Sequence, residues 1–370
     1  MSGRSGPSVA VVGVGSVGAM ALWQLARRGI NAVGYDAFAP GHDRGAAGGE
    51  SRILRAVPRR GTEYVPLLKQ ARELWGELED ETGERLMHRT GCATVGPADH
   101  AGIRAIQANA EQHGLPLENL DGTEAAERVP EHPLRDGETL LVDPGGALIR
   151  PEISVLTAAR HAEARGAQIH RYSPVTEIHD HGDTATIRTH TTEERYDRVI
   201  ATLGPSAGLY LPARTSHLTM KQVTALWFAR RQHDAFLPEW TPVAMRVGEP
   251  AFSCCPGPDG AKVVLRDPSR EASNNLAQHA TAAVSETLPA LIPDPIRASG
   301  YPEAYTDDGH PLLGTTGDRN AVIVGAGFSG HDFQLAPAFG SITADLALTG
   351  TTPHDITFMA PSRPLSNPTG

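Results

Sequence analysis

The chain has 370 residues, enough for two domains with separate apolar cores. Its formal net charge of −10 argues against nucleic acid as a partner, because contact with phosphates needs a basic face. No apolar run is long enough to span a bilayer and the start of the chain does not resemble a signal peptide, so we expect a cytoplasmic protein with no membrane partner. We also expect a monomer.

The three cysteines do not have the spacing of a zinc site, so we expect no bound metal. Two of them, Cys254 and Cys255, are adjacent, whereas Cys92 is distant in sequence. The adjacent pair is either a strained vicinal disulfide or two small buried side chains, and the second alternative is favoured.

Strand-like and helix-like segments alternate from the start of the chain, which predicts an α/β fold, or α+β overall. The β-branched run Val9–Val12 predicts a first strand. Apolar residues at helical spacing after Gly15 predict a helix that Gly29 ends. The same criteria predict further elements in chain order: a strand over 31–35, helices over 64–81 and 153–165, a strand from residue 168, and a strand over 321–324 that precedes a glycine turn and a helix.

The middle of the chain has a different composition, with Pro, Gly and polar residues between shorter predicted elements. We interpret these parts as a second domain inserted into the first, and the apolar, aromatic run 223–229 is typical of a sheet packed on one face. The predicted bounds are 1–95, 144–216 and 298–370 for a discontinuous Rossmann-like domain, and 96–143 and 217–297 for a substrate domain with a mixed sheet.

A glycine-rich turn, GVGSVG, follows the first predicted strand and opens the first helix, and Asp36 ends the next strand. Gly13, Gly15 and Gly18 permit a tight turn and a close approach of the backbone to a pyrophosphate, and the Asp carboxylate can accept from a ribose hydroxyl. This context predicts a dinucleotide site, but it does not separate FAD from NAD.

A second glycine-rich segment, GAAGGESRILR over 45–55, contains Arg52 and Arg55. Their i, i+3 spacing would place both side chains on one side of a helical turn. One arginine would then support the cofactor site and the other would bind an anionic group of the substrate. Two solvated surface arginines are an equal alternative.

A third segment, VGAGFSGHDF over 324–333, follows the last predicted strand. Gly325, Gly327 and Gly330 let the backbone approach a ring system, and His331 stands where a helix would begin. The turn is therefore either part of a cofactor site or a structural strand-to-helix connection.

These three segments, together with YVPLLKQARELWGELE, EARGAQ and AYTDDGHPLLG, resemble the monomeric sarcosine oxidase / N-methyltryptophan oxidase family of the D-amino-acid oxidase fold group. The resemblance covers nearly the whole chain. It implies an FAD domain joined to a mixed-sheet substrate domain. It also implies oxidation of a secondary or tertiary amine, an amino acid or a derivative, to an imine, with oxygen as the acceptor that reoxidises the reduced flavin.

The chain departs from this family at positions that concern the cofactor and the substrate. Glu303 stands where members often have a Cys that attaches FAD, so we expect FAD to be bound without a covalent link. Gln334 replaces a Lys that helps to hold a substrate carboxylate, and Asp332 replaces a Gly. Arg55 could still hold a carboxylate alone. We therefore predict poor activity on sarcosine and better activity on a larger amine.

Another family Lys, on a substrate-domain strand, promotes the reaction of the flavin with oxygen. Lys262 lies close to the matching position but is offset in the sequence, Val264 is an alternative occupant, and a solvated strand end is a further interpretation of Lys262. The candidate catalytic residues are Lys262, Arg55, His331 and Tyr305, the last two shaping an apolar pocket that keeps the amine unprotonated by desolvation. The candidate cofactor-binding residues are Gly13, Gly15, Ser16, Val17, Gly18, Asp36, Ser51, Arg52, Val175, Gly204, Gly327, Phe328, Gly330 and Gln334.

Three alternatives remain open on the sequence. One is a flavin dehydrogenase, or another flavoenzyme, that uses an acceptor other than oxygen. Another is a nicotinamide-dependent dehydrogenase, and the third is a flavin-binding subunit without catalysis.

Overall fold

The computed structural model describes residues 6–59, 61–210, 218–266, 275–316 and 321–364, apart from the side chains of residues 209, 210 and 332. Within these residues the strands are β1 (Val9–Val12), β2 (Val33–Tyr35), β3 (Arg52–Leu54), β4 (Met87–His88), β5 (Cys92–Pro97), β6 (Glu118–Leu120), β7 (Glu138–Asp143), β8 (Ala147–Ile149), β9 (Gln168–His170), β10 (Val175–Asp180), β11 (Ala185–Thr189), β12 (Glu193–Tyr196), β13 (Arg198–Ala201), β14 (Leu218–Arg230), β15 (Val243–Arg246), β16 (Phe252–Gly257), β17 (Gly260–Leu265), β18 (Leu291–Thr306), β19 (Leu312–Thr315) and β20 (Val322–Ala326). The α-helices are α1 (Ser16–Arg27), α2 (Val65–Thr82), α3 (Ala101–His113), α4 (Gly122–Arg128), α5 (Pro151–Ala164), α6 (Ala207–Tyr210), α7 (Leu276–Thr287) and α8 (Asp332–Thr349), and short 3₁₀ turns cover Thr62–Tyr64, Gly204–Ser206 and Thr357–Met359.

A six-stranded sheet organises the first half of the fold, in the order β19-β20-β13-β1-β2-β9. Its strands pair in parallel except for β19, which runs antiparallel to β20 at the edge. The carboxyl ends of β1, β2, β13 and β20 therefore meet at one edge, where a Rossmann-like fold binds its ligand.

Alternation along β1 explains why both faces of this sheet are covered. Val9 and Val11 belong to a core with α1, α2, α5 and α8, whereas Ala10 and Val12 belong to a core with residues of β10, β11 and β12. Since successive side chains of a strand point to opposite faces, helices cover one face and a three-stranded antiparallel sheet covers the other.

An eight-stranded mixed sheet forms the second half, in the order β18-β14-β17-β16-β15-β5-β7-β6. Its pairings are antiparallel except for β15 with β5. One face packs on α7 around Phe228 and Phe252. The opposite face, with Val264 and Tyr301, packs towards Ala46 in the glycine-rich 45–55 segment.

The α/β class and the mixed second sheet are confirmed. The predicted first strand occurs as β1 and the three predicted helices occur as α1, α2 and α5, with ends that agree within a few residues. The predicted domain bounds stay a prediction, although β5 and β18 each extend across one of them. All three cysteines are buried and free, so the vicinal disulfide does not form. Among the described residues, no helix combines the length and apolar character that a membrane span requires.

The contact between α1 and α8 predicts opposite effects of adding a methyl group at two helical glycines. A Cβ at Gly340 would lie 2.6 Å from the Cβ of Met20 and 2.7 Å from the backbone nitrogen of Ala21, whereas a Cβ at Gly76 would meet its nearest atom at 3.9 Å. We expect Gly340→Ala to destabilise the protein by about 1–3 kcal/mol through overpacking. Gly76→Ala should stabilise it by up to about 1 kcal/mol through helix propensity. Denaturant unfolding measures both changes, and equal stabilisation by the two substitutions would contradict the close helix contact.

Candidate functional site

The loop after β1 is shaped by contacts that exclude side chains. Gly13 has φ of +88°, and a Cβ there would lie 2.3 Å from the carbonyl oxygen of Thr202, which follows β13. A Cβ at Gly18 would lie 1.9 Å from the Gly13 carbonyl oxygen. At Gly15, by contrast, a Cβ would meet nothing within 4 Å. The start of α1 is therefore packed tightly on its inner side and open on the other.

Asp36 holds this loop to the end of β2. One of its carboxylate oxygens accepts the backbone N–H of Val14 at 2.7 Å, and the other accepts that of Phe38, also at 2.7 Å. A buried carboxylate with two such donors is well stabilised. Its position beside the open start of α1 leaves it facing the space where a dinucleotide would lie.

A cavity of about 380 Å³, called here the nucleotide cavity, extends from this loop to the turn after β20. Asp36 and Glu303 both line it. Ten of the predicted cofactor residues line it, namely Gly13, Gly15, Ser16, Val17, Asp36, Val175, Gly204, Gly327, Phe328 and Gly330.

The residues around the nucleotide cavity fit FAD. Backbone N–H groups at the open start of α1 suit a pyrophosphate, the Asp36 carboxylate suits a ribose, and the glycine turn at 327–330 admits a flat ring. Gly18 is absent from the lining because it packs under the loop, which is the usual task of the third glycine in this motif.

A second cavity of about 270 Å³, called here the substrate cavity, adjoins the first and shares Glu303, Ser329 and Gly330 with it. All four predicted catalytic residues line it: Arg55, Lys262, Tyr305 and His331. Ser51, Arg52 and Gln334, which were predicted to bind the cofactor, line this cavity and not the nucleotide cavity.

The predicted helical turn that would align Arg52 with Arg55 is wrong, because residues 52–54 form strand β3. Arg52 turns back onto its own loop, donating to the carbonyl oxygens of Ser51 at 2.8 Å and Ala46 at 2.5 Å, with its guanidinium 4.7 Å from the centre of the Tyr301 ring. It therefore has a structural set of partners, whereas Arg55 lies beyond the strand end and lines the substrate cavity.

Two buried acceptors fix the backbone around Arg55. Gln334, at the start of α8, accepts the backbone N–H of Arg55 at 3.3 Å through its side-chain oxygen. Asp143 accepts those of Ala56 and Val57 at 2.6 and 2.9 Å. Gln334, which replaces a lysine of the family, thus positions the backbone of Arg55, the arginine that was predicted to hold a carboxylate. The side chain of Asp332 lies outside the described residues.

The Arg55 guanidinium itself has few protein partners. One terminal nitrogen donates to the sulfur of Met245 at 3.3 Å, a weak acceptor, and the buried Nε has no hydrogen-bond partner among the described residues. Burial lowers the pKa of Arg55, and the nearby Arg266 acts in the same direction. A buried donor without an acceptor is costly, so this guanidinium is arranged to receive an anion.

Lys262 is 5% exposed, so its interpretation as a solvated strand end is wrong. It lies on the face of β17 towards the 45–55 segment, and its ammonium group donates to the carbonyl oxygens of Gly49, at 2.9 Å, and Ser51. Burial, reinforced by Arg52, lowers the pKa of Lys262 to about 7. Val264, two residues along the same strand, lines the same cavity.

The other predicted side chains form short contacts at the junction of the cavities. The Tyr305 hydroxyl donates to Glu303 at 2.7 Å, and the Tyr305 backbone forms an isolated bridge with Phe328. His331 stacks on Tyr64 with ring centres 5.4 Å apart. These contacts tie the end of β18 to the glycine turn, so that both cavities share one wall.

Sequence reasoning missed Arg59 and Arg266, which also line the substrate cavity. Arg266 follows β17 directly, and its even spacing from Lys262 and Val264 places all three on one side of the strand direction. That alternation was available in the sequence. The position of Arg59 depends on the path of the chain after β3 and had no such signal.

Comparison with known proteins gives consistent results. A family profile described as FAD dependent oxidoreductase matches residues 8–346. A monomeric sarcosine oxidase of Streptomyces avermitilis is 32% identical over 96% of this chain and 97% of its own length. An N-methyl-L-tryptophan oxidase of Salmonella arizonae is 30% identical, over 94% and 96%. Among solved structures, the amino acid oxidase NikD has the same fold, with a TM-score of 0.83 at 22% identity over 98% of this chain and all of that chain.

The position of Glu303 predicts how the flavin is retained. Glu303 lines both cavities, and a carboxylate cannot form the thioether that a cysteine forms. Acid precipitation should therefore release the yellow colour into the supernatant, as measured by absorbance of both fractions. Colour that stays in the pellet would contradict the prediction. Glu303→Cys is the informative comparison, because it restores a thiol at this position.

Proposed function

This chain belongs to the family of FAD-dependent oxidoreductases, and we propose that it oxidises the C–N bond of an N-substituted amino acid whose carboxylate is bound by Arg55. The dependence on FAD and the amine-oxidising class agree with the prediction from sequence, which is confirmed at that level. The nicotinamide-dependent and non-catalytic alternatives are accordingly set aside. The identity of the amine and the roles of individual residues are proposals.

One observation carries the proposal: Arg55, a half-buried arginine whose buried Nε has no hydrogen-bond partner among the described residues, lines the cavity that shares a wall with the nucleotide cavity. A carboxylate can accept two parallel hydrogen bonds from an arginine. Bound in this way, an amino acid would have its α-carbon and nitrogen close to the shared wall formed by Glu303 and Gly330. That is the geometry an oxidation at the α C–N bond requires.

FAD, when bound, supplies the two-electron oxidation of the amine, and the protein's own groups prepare the substrate. The expected apolar pocket is in fact rich in cations, with Arg52, Arg55, Lys262 and Arg266 in its lining. Positive charge nearby disfavours a protonated amine, as desolvation does, so these cations support the same outcome by another route.

Glu303 is the one carboxylate in the described lining of the substrate cavity. One of its oxygens accepts from Tyr305, and the second can accept an N–H of the substrate amine and orient its nitrogen. His331, stacked on Tyr64, closes the cavity on the side of α8. These contacts orient the amine while Arg55 holds its carboxylate.

We also propose oxygen as the acceptor, through Lys262, and a monomeric protein that acts in the cytoplasm. A cation near the flavin stabilises negative charge that develops when oxygen takes up electrons. Lys262 lines the substrate cavity, and its ammonium group donates to the carbonyl oxygens of Gly49 and Ser51. A different acceptor remains the second candidate if this lysine does not reach the flavin.

The first test of the function uses Arg55→Met. We expect about a thirtyfold or greater loss of kcat/KM for N-methyl amino acids, equivalent to about 2 kcal/mol or more for a carboxylate left without its partner. Stopped-flow reduction of the flavin without oxygen measures this loss across a panel of N-methyl amino acids and the matching N-methyl amines that lack the carboxylate.

The amines without a carboxylate should lose far less activity in Arg55→Met than the N-methyl amino acids lose, and the flavin content should be unchanged. Equal losses for both groups of substrates would contradict carboxylate binding by Arg55. Sarcosine is included in the panel, and its expected poor turnover stays a prediction.

The second test uses Lys262→Met, which should slow reoxidation of the reduced flavin by oxygen by about an order of magnitude or more, with flavin reduction by substrate nearly unchanged. Because the pKa of Lys262 is about 7, its charged fraction falls as the pH rises through neutrality. Reoxidation by the wild type should therefore slow from pH 6 to pH 8, and that of the variant should stay level.

Lys69→Met, an exposed lysine on α2, is the matched control. Rapid mixing of reduced enzyme with oxygenated buffer gives the rates. If Lys262→Met reacts with oxygen as fast as the control does, oxygen activation by this residue is refuted.

A further inference from the structure

The substrate cavity carries more positive charge than one carboxylate can neutralise. Its described lining includes Arg55, Lys262 and Arg266, against the single carboxylate of Glu303. Arg52 and Arg246 also line it, but their charges are engaged elsewhere in the protein, as described below. Since unpaired cations in a partly closed cavity are costly, the surplus points to more than one negative charge on the ligand.

Two of the cations in the lining are already engaged by other residues. Arg246 forms a buried ion pair with Glu138, and Arg52 donates to the carbonyl oxygens of Ser51 and Ala46. Lys262 likewise donates to two carbonyl oxygens, although these carry only partial charge. The groups that remain for a ligand are therefore Arg55 and Arg266.

Arg266 lines the substrate cavity where the cavity opens to solvent. It is exposed, follows the end of β17, and its guanidinium has no hydrogen bond or ion pair with another residue in the described part of the chain. Its charge nevertheless acts on the inner cations, since it helps to lower the pKa of both Arg55 and Lys262. Arg266 and Arg55 thus belong to one electrostatic site.

Nearby carboxylates offset this charge only in part: Asp143 acts to raise the pKa of Arg55 and Glu152 that of Lys262, yet both pKa values stay lowered. Asp143 accepts the backbone N–H groups of Ala56 and Val57. Glu152 accepts those of Gly49 and Glu50, at 2.7 and 3.0 Å through one oxygen. Each carboxylate stabilises backbone donors, so neither can turn towards an arginine in the cavity without losing these hydrogen bonds.

We propose that the substrate is an amino acid with a second carboxylate, the first held by Arg55 and the second by Arg266 at the cavity mouth. This inference rests on the proposed function for the reaction and adds the class of substrate. Arg266 is then a specificity-determining residue. A second carboxylate would also account for the cations that line the cavity in addition to Arg55, although Gln334 replaces the lysine of the family.

The test compares isosteric pairs that differ in one negative charge: N-methylaspartate with N-methylasparagine, and N-methylglutamate with N-methylglutamine. The two side-chain lengths test two separations of the carboxylates. Flavin reduction without oxygen should show at least one diacid favoured over its amide by about tenfold or more in the ratio of rate to dissociation constant. Arg266→Gln should abolish that preference, while N-methylalanine still reduces its flavin.

Arg195→Gln, on the exposed strand β12, is the matched control for a change of net charge and should keep the preference. Equal use of acid and amide by the wild type for both pairs would overturn the inference, as would a preference that persists in Arg266→Gln. Oxidation of N-methylalanine in those cases would leave the proposed function intact. A flavin that none of these amines reduces would instead refute the proposed function.

Binding of an inert ligand tests the second subsite without catalysis. Thiodiacetate is a diacid that has sulfur where an N-substituted amino acid has nitrogen. It and its monoamide are titrated separately into the oxidised holoenzyme, and the flavin spectrum reports binding. We expect the wild type to bind the diacid about tenfold or more tightly than the monoamide, and Arg266→Gln to bind the two alike. Equal affinities in the wild type would count against the inference whatever the enzyme oxidises.

Discussion

The site depends on how the polar backbone of residues 49–57 is satisfied where it passes between the two large sheets. Buried N–H and C=O groups need partners, and here they come from four separate parts of the chain. Glu152 accepts the first two N–H groups, Lys262 donates to two carbonyl oxygens, Gln334 accepts the N–H of Arg55, and Asp143 accepts the next two. The four partners belong to different parts of the fold, so together they fix the backbone conformation from which the Arg55 side chain extends.

This arrangement gives Lys262 two tasks that oppose each other. As a donor to the carbonyl oxygens of Gly49 and Ser51 it holds the segment, yet burial beside Arg52 lowers its pKa to about 7 and makes its charge expensive. An arginine would stay charged and a neutral residue would supply no charge. A lysine is the residue that can both donate here and change its charge near neutral pH.

The shared wall of the two cavities comes from the length of β18, which stays paired with β14 as far as Thr306 and there meets the turn after β20. Tyr305 bridges to Phe328, and Ser329 both donates its backbone N–H to Ala304 and accepts that of Thr306 through its hydroxyl. A rigid contact at this point places Glu303 between the nucleotide cavity and the substrate cavity. The same contact therefore sets both the surroundings of the ring system and the orientation of the substrate.

Local patterns in the sequence were sufficient for the elements and for the nucleotide cavity. The turn around Gly13 and the acid at Asp36 follow from short-range geometry, because a strand, a tight turn and a helix need those residue types at that spacing. The substrate cavity could not be predicted in the same way. The pairing of Gln334 with Arg55, across 279 positions of sequence, and the burial of Lys262 depend on how the two sheets pack. Spacing alone suggested a helical turn for Arg52 and Arg55, but pairing of β3 with β8 overrode it and separated the two arginines. The sequence determined which charges the protein has, and the tertiary structure decided which of them lack a partner, because burial and long-range contact set the energy of each charge.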